Sequence, residues 1–173
     1  MRSRMLAIAL TMVLPGLAEA ACNDVAAPGV EWRRCRADGS NLAGADLSGS
    51  DLRDASFTRA NLSKANLQRA DLRRARLVSV TAAGINLERA DLTTADLTSA
   101  DLRDASLRDA SLRRARFVGA NLQRADLTGA NVDGVDLLRA DLSGARWIDG
   151  RTVCAEGSIG QCHPRPPGSE AEG

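Results

Sequence analysis

Four cysteines, one histidine and three pairs of arginines are the residues of this chain whose types and spacing could do chemistry. Cys22 and Cys35 lie near one end, Cys154 and Cys162 near the other. Four cysteines allow three pairings, and in an oxidising compartment disulfides are their default fate. Cys154, Cys162 and His163 offer three metal ligands, but at no standard zinc spacing; no metal or cofactor is expected. His163 is the single histidine and there is no tyrosine. Serines and aspartates are abundant, yet they recur as positions of a repeat, and no Ser-His-Asp constellation stands out. Gly157-Ser158-Ile159-Gly160 falls short of G-x-S-x-G and lacks the strand, elbow and helix that such a serine needs. None of this points to an enzyme. The pairs Arg33/Arg34, Arg73/Arg74 and Arg113/Arg114 recur every 40 residues. Such an array suits an anionic partner, a lipid headgroup or a polysaccharide phosphate, unless neighbouring aspartates neutralise it.

What must position these groups is a repeat of five. From Ser40 to Trp147 the chain runs SNLAG, ADLSG, SDLRD, ASFTR, ANLSK and onward to ARWID, 22 phrases in one register. With the apolar centre called i, position i−2 is nearly always Ala, i−1 is usually Asp, Asn, Ser or Arg, and i+1 and i+2 are mostly polar or Gly. On an α-helix, residues five apart fall roughly 140° from one another, so no apolar stripe forms. A long strand sends successive centres to opposite faces. A short extended segment followed by a bend satisfies both constraints. Within it i−2 and i point inward and i−1 outward, and glycine at i+2 suits a corner that needs positive φ. Four corners close a square, so about 20 residues make one coil, and stacked coils pair their backbones as parallel β-solenoids do.

The phrase A[DN]Lxx resembles that of the pentapeptide-repeat family. The resemblance implies an all-β fold: a right-handed quadrilateral parallel β-helix of about six coils, a single domain, with Leu or Phe at i and Ala at i−2 inside. The best-characterised members of that family mimic DNA and bind gyrase. That mechanism needs a strongly acidic surface, a cytoplasmic location and a dimer formed through a C-terminal helical module. This chain departs on each count. It carries 23 basic and 22 acidic residues, it begins with an export signal, and it ends in a Pro-rich segment. No nucleic-acid partner is expected.

The signal is Met1–Ala20: Arg2 and Arg4, the apolar run Met5–Leu14, then Ala18-Glu19-Ala20 as the cleavage site. The run is too short to span a membrane, so no transmembrane segment is expected after its removal. Lipid anchoring at Cys22 is disfavoured by Glu19, which stands where such a signal has Leu. The expected organisation is 1–20 signal, 21–39 N-terminal cap with weak first repeats, 40–147 repeat body, 148–162 C-terminal cap and 163–173 disordered tail. Trp32 and Cys35 should face inward in the first coil. Gly150-Arg151-Thr152 faintly keeps the register, as a closing coil would. End coils about 30 Å apart cannot share a disulfide, which leaves Cys22 with Cys35 and Cys154 with Cys162. At Val80-Thr81-Ala82 large and small residues exchange places, as packing demands, while Ile85 and Val135 break the Ala rule. A slight bulge is expected at this irregular spot, with a functional kink as the alternative. The function expected is a non-catalytic scaffold of the bacterial cell envelope or periplasm whose partner is a protein or another envelope component. The alternative is an anion-binding module built on the arginine pairs. If Leu102 points inward and Arg103 outward, Leu102→Asp should unfold adjacent coils and Arg103→Asp should be nearly silent.

Overall fold

The computed structural model describes Cys22 and residues 25–165. The leader assigned to Met1–Ala20, and residues 166–173 of the expected tail, lie outside the described residues.

Every phrase has the same backbone. Residue i−1 bridges in parallel to the residue 20 positions on, as in Glu31↔Asp51↔Asp71↔Asp91↔Ser111↔Asn131, and three further columns do likewise. The chain is a right-handed quadrilateral β-helix of six coils spanning 31–150. Its four sides are centred on residues 32 to 132 (side one), 37 to 137 (side two), 42 to 142 (side three) and 47 to 147 (side four). Residues 61–65 show how the coils are tied. Asn61 N–H donates down to Ser40 O (2.9 Å), while Leu62 and Lys64 N–H donate up to Thr81 O (2.7 Å) and Ala83 O (2.9 Å). Ala65 N–H closes the corner onto Leu62 O (3.0 Å). The remaining donor, at i+1, is met by a side chain: Ser63 N–H donates to Asn61 Oδ1 (3.1 Å). The same bond recurs at Gln68 with Asn66, Thr93 with Asp91 and Thr128 with Asp126. Asp and Asn dominate i−1 because a short side chain there accepts from the backbone two residues on.

The interior is the file of centres and i−2 residues. From Leu47 to Leu127 each centre is buried, with Ala at almost every i−2 position beside it. Each leucine contributes roughly 1.5–3 kcal/mol by leaving water. Val80 and Ile85, both buried where the phrase has Ala, flank Ala82, which sits where the phrase has Leu. They refill the volume that a missing leucine leaves. The expected bulge does not form: the bridges Asn61↔Thr81↔Asp101 and Asn66↔Asn86↔Ser106 run through uninterrupted.

The corners have the positive φ expected of them, and glycine is not required for it. Position i+2 has positive φ from Arg34 to Gly144, and fifteen residues there are not glycine, with φ between 54° and 60°. A left-handed conformation costs a side-chain-bearing residue about 1 kcal/mol. All of them but Arg139, in the last coil, offset that cost by an N–H bond to the next coil, as Arg59 does to Val78 O (3.0 Å).

Both ends are covered differently from the body. At the first coil Trp32 and Cys35 are buried, and Cys22 lies at disulfide distance from Cys35 with Cα atoms 5.5 Å apart. At the far end the expected closing coil is absent. The Asp149 carboxylate accepts from Arg151 N–H (3.0 Å), Thr152 N–H (2.8 Å) and Thr152 Oγ (2.6 Å), and the chain reverses there. It returns antiparallel, pairing Arg146↔Val153 and Asp141↔Ile159. Cys154 is buried and lies at disulfide distance from Cys162, with Cα atoms 5.0 Å apart. His163–Arg165, expected to be disordered, form one more layer: Cys154 bridges Pro164, and Arg165 N–H donates to Val153 O (3.0 Å). This cap stands over sides three and four and reaches side two only at its last corner, where Gly160 lies against the backbone of Leu137 and Arg139.

Candidate functional site

Columns of outward side chains are what this fold offers a partner, and the columns that carry the arginine pairs are on side one. Most of that charge is already engaged. Arg33 donates to Asp51 (2.6 Å), and Arg53 reaches both Asp51 (2.5 Å) and Asp71 (3.4 Å). Arg73 follows with Asp71 (2.6 Å) and Asp91 (3.8 Å), so a zipper of alternating sign climbs four coils. Arg74 grips Asp54 with two bonds of 2.7 and 2.8 Å. Arg34, Arg113 and Arg114 are exposed and make no ion pair among the described residues. The three pairs therefore share one side, two coils or about 10 Å apart, but they are not three equivalent sites. Similar ties join Arg103 to Asp101 (2.7 Å), Arg124 to Asp104 (2.7 Å) and Arg108 to Asp126 (2.9 Å) on other sides.

These bonds hold carboxyls below their ordinary range. Hydrogen bonds from Arg74 lower Asp54, and those from Arg103 lower Asp101. Burial pushes Asp71 up, but the Arg73 side chain and backbone outweigh it and the net shift is down. Asp126 behaves likewise, with Thr128 and Arg108 opposing burial. Asp149 is held at about 2 by the Thr152 hydroxyl and the N–H groups of Thr152 and Arg151. A folded pKa below the unfolded value of about 3.9 adds stability above that value and loses it as pH falls through the folded one. The melting temperature should therefore be flat from pH 7 to about 5 and fall progressively below about 4. A thermal melt series by circular dichroism checks this, and a fall confined to pH 5–7 would contradict it.

Ser158 and His163, which fell short of a catalytic motif in the sequence, meet only through the His163 backbone. Ser158 is buried in the cap, and its Oγ accepts from the backbone N–H of His163 (3.2 Å), not from its imidazole. Among the described residues no group of His, Cys, Asp or Glu is placed to hold a metal ion, and no helix is long and apolar enough to cross a membrane.

The repeat matches the model for pentapeptide repeats in 8 copies, over residues 17–54, 40–78, 55–93, 70–109 and 120–146. No curated protein matches the chain. Among solved structures, a pentapeptide repeat protein from the Arabidopsis thaliana thylakoid lumen is 27% identical, covers 66% of this chain and 85% of its own, and superposes with a TM-score of 0.59. A pentapeptide repeat protein of the cyanobacterium Cyanothece is 32% identical over 61% of this chain and 82% of its own, with a TM-score of 0.48. QnrB1, a plasmid-mediated fluoroquinolone resistance protein, is 24% identical over 66% of this chain and 61% of its own, with a TM-score of 0.41. Repeats matched over most of its length, wound into six stacked square coils, place this chain in the pentapeptide-repeat family.

Proposed function

We propose that the mature chain is an exported, non-catalytic scaffold of the bacterial cell envelope or periplasm, a rigid rod that presents its repeated polar columns to a protein partner. The observation that carries this reading is the zipper on side one. It turns a basic stripe into a patterned, nearly neutral surface suited to hydrogen-bonded contact rather than to a polyanion. Export is supported by the leader at Met1–Ala20 and by the two cysteine pairs at disulfide distance. A lumenal compartment also houses the Arabidopsis protein described above. A gyrase-directed role is not favoured, since the surface lacks the acidity it would need.

Of the six paired arginines, the second reading, binding to anionic envelope polymer or lipid, retains Arg34, Arg113 and Arg114. Salt separates the two, because exposed charge contacts weaken steeply as the screening length falls from about 10 Å at 0.1 M to about 3 Å at 1 M. Retention of the mature protein in a washed envelope fraction should survive that salt step and should be unchanged in Arg113→Ala/Arg114→Ala. Release by salt together with loss in that double variant would establish the anionic reading instead.

A further inference from the structure

The far end of the tube is covered on sides three and four and open along side one and most of side two, where only the cap's Gly160 comes near, against the backbone of Leu137 and Arg139. On sides three and four the last coil bonds to the cap: Leu142 N–H to Ser158 O (2.8 Å), Gly144 N–H to Cys154 O (2.9 Å), Cys154 N–H to Ala145 O (2.8 Å) and Gly160 N–H to Ala140 O (2.7 Å). On sides one and two the donors that every lower coil sends upward, here Val132, Gly134, Leu137 and Arg139 N–H, have no partner among the described residues. Ala130 O and Val135 O likewise lack the donor that their counterparts accept. The core is uncovered along the same stretch. Val132, Val135 and Leu137 are only half-buried, and Leu138 is 61% exposed. Edge strands left bare are usually blunted, and the cap's outer layer is, since Pro164 brings no N–H. The ledge from Ala130 to Arg139 is not.

We propose that this two-sided ledge docks an extended, basic–apolar segment of a partner protein, which adds the missing half-coil by β-augmentation. This rests on the scaffold reading and specifies its contact. The backbone vacancies ask for a chain laid as the coils lay one another, with small and apolar residues inward and one corner between two five-residue sides. The charge follows from the columns. On side two the i−1 positions read Arg76, Asp96, Arg116, Asp136 upward, with Arg116 3.6 Å from Asp96. On side one Asp133 follows Arg113. Asp133 and Asp136 are exposed and make no ion pair among the described residues, although Asp136 accepts from Leu138 N–H (3.1 Å), so the next layer should carry Lys or Arg beside them. A second copy stacked end-on does not fit, because a complete coil would strike the cap over sides three and four.

The test uses full-length mature protein labelled with ¹⁵N and a decapeptide, Ala-Lys-Leu-Thr-Gly repeated twice. Amide resonances of Val132, Gly134, Leu137 and Arg139 should shift saturably, and those of the tube sides should not. The same peptide with N-methylated lysine amides, which cannot donate to Ala130 O or Val135 O, should bind at least tenfold more weakly. So should one with Glu for Lys, and Asp133→Lys/Asp136→Lys should invert that preference. Shifts spread along the sides, no saturation, or equal binding of all three peptides would overturn the proposal. Two further results would do the same. One is concentration-dependent shifts of these amides without peptide, which would put a second copy on the ledge. The other is binding only after removal of residues 166–173, which would put the chain's own end there. Salt-resistant envelope retention with an inert ledge would sink this inference and leave the scaffold reading standing.

Discussion

Leu102→Asp should collapse the coils on either side of it. Leu102 is wholly buried in the side-three file between Ala82 and Leu122, and its N–H is bonded upward to Asn121 O (2.7 Å). A carboxylate there has no cation and no donor within the tube, and an unpaired buried charge costs about 3–5 kcal/mol or more. In a stack whose coils touch only their neighbours, a break in the fourth coil separates two short stacks, each with a bare edge. Urea unfolding followed by circular dichroism should lose its single cooperative transition or shift its midpoint far down. The control is one residue on. Periodicity alone makes Arg103→Asp nearly silent, but Arg103 is bonded to Asp101 and sits beside Asp104, so an aspartate would crowd three carboxylates. Arg103→Gln is the cleaner control, with an expected cost within about 1 kcal/mol for an exposed pair. Equal loss in Leu102→Asp and Arg103→Gln would refute the inward and outward assignment.

Phe117→Ala should be the most damaging of the apolar truncations. Phe117 is fully buried on side two, and with Phe57 it is one of the two largest side chains in the file. Its removal leaves a cavity that rigid square coils cannot close, so the cost should reach about 3–5 kcal/mol, whereas Phe117→Leu should cost under about 1.5 kcal/mol. The ledge lies one coil above, with half-buried Leu137 stacked directly on Phe117. The truncation should therefore loosen sides one and two of the last coil before the rest. Thermal melts of the three proteins decide this, and similar costs for Ala and Leu would mean that the tube relaxes around the gap.

The body of the fold was legible because each coil sees a copy of itself above and below. One phrase then encodes both its own bend and the surface it stacks on, and the inward run of Ala and Leu follows from the period alone. What the period does not carry was harder to see. The role of Asp or Asn at i−1 is a bond to a backbone two residues on, which the outward direction of the side chain does not reveal. Glycine marked corners that Arg59, Lys64 and Arg69 also turn at positive φ, because the ladder above supplies the compensation. The ends are unique stretches with no copy to constrain them. Gly150-Arg151-Thr152 matched the register by composition while Asp149 turned the chain back. At the ledge the signal was present as rule-breaking: Val135 where Ala belongs and Leu138 where a polar residue belongs. Leu138 continues an apolar column that Val78 and Val118 occupy lower on side two, so it is Val135 that is particular to this end. Of the candidate site, the shared side of the arginine pairs was readable, and the zipper that engages Arg33, Arg73 and Arg74 required the coil stacking to be known.

The most direct test of the stacked square tube is residue-resolved amide hydrogen exchange. Protection should repeat every five residues from Asp51 to Leu127, strong at i−1, i, i+2 and i+3, and weakest at i+1, where the amide meets only a side chain or solvent. In the last coil it should fail at Val132, Gly134, Leu137 and Arg139. Protection that follows a 3.6-residue period, or none at all, would contradict the structure at its root.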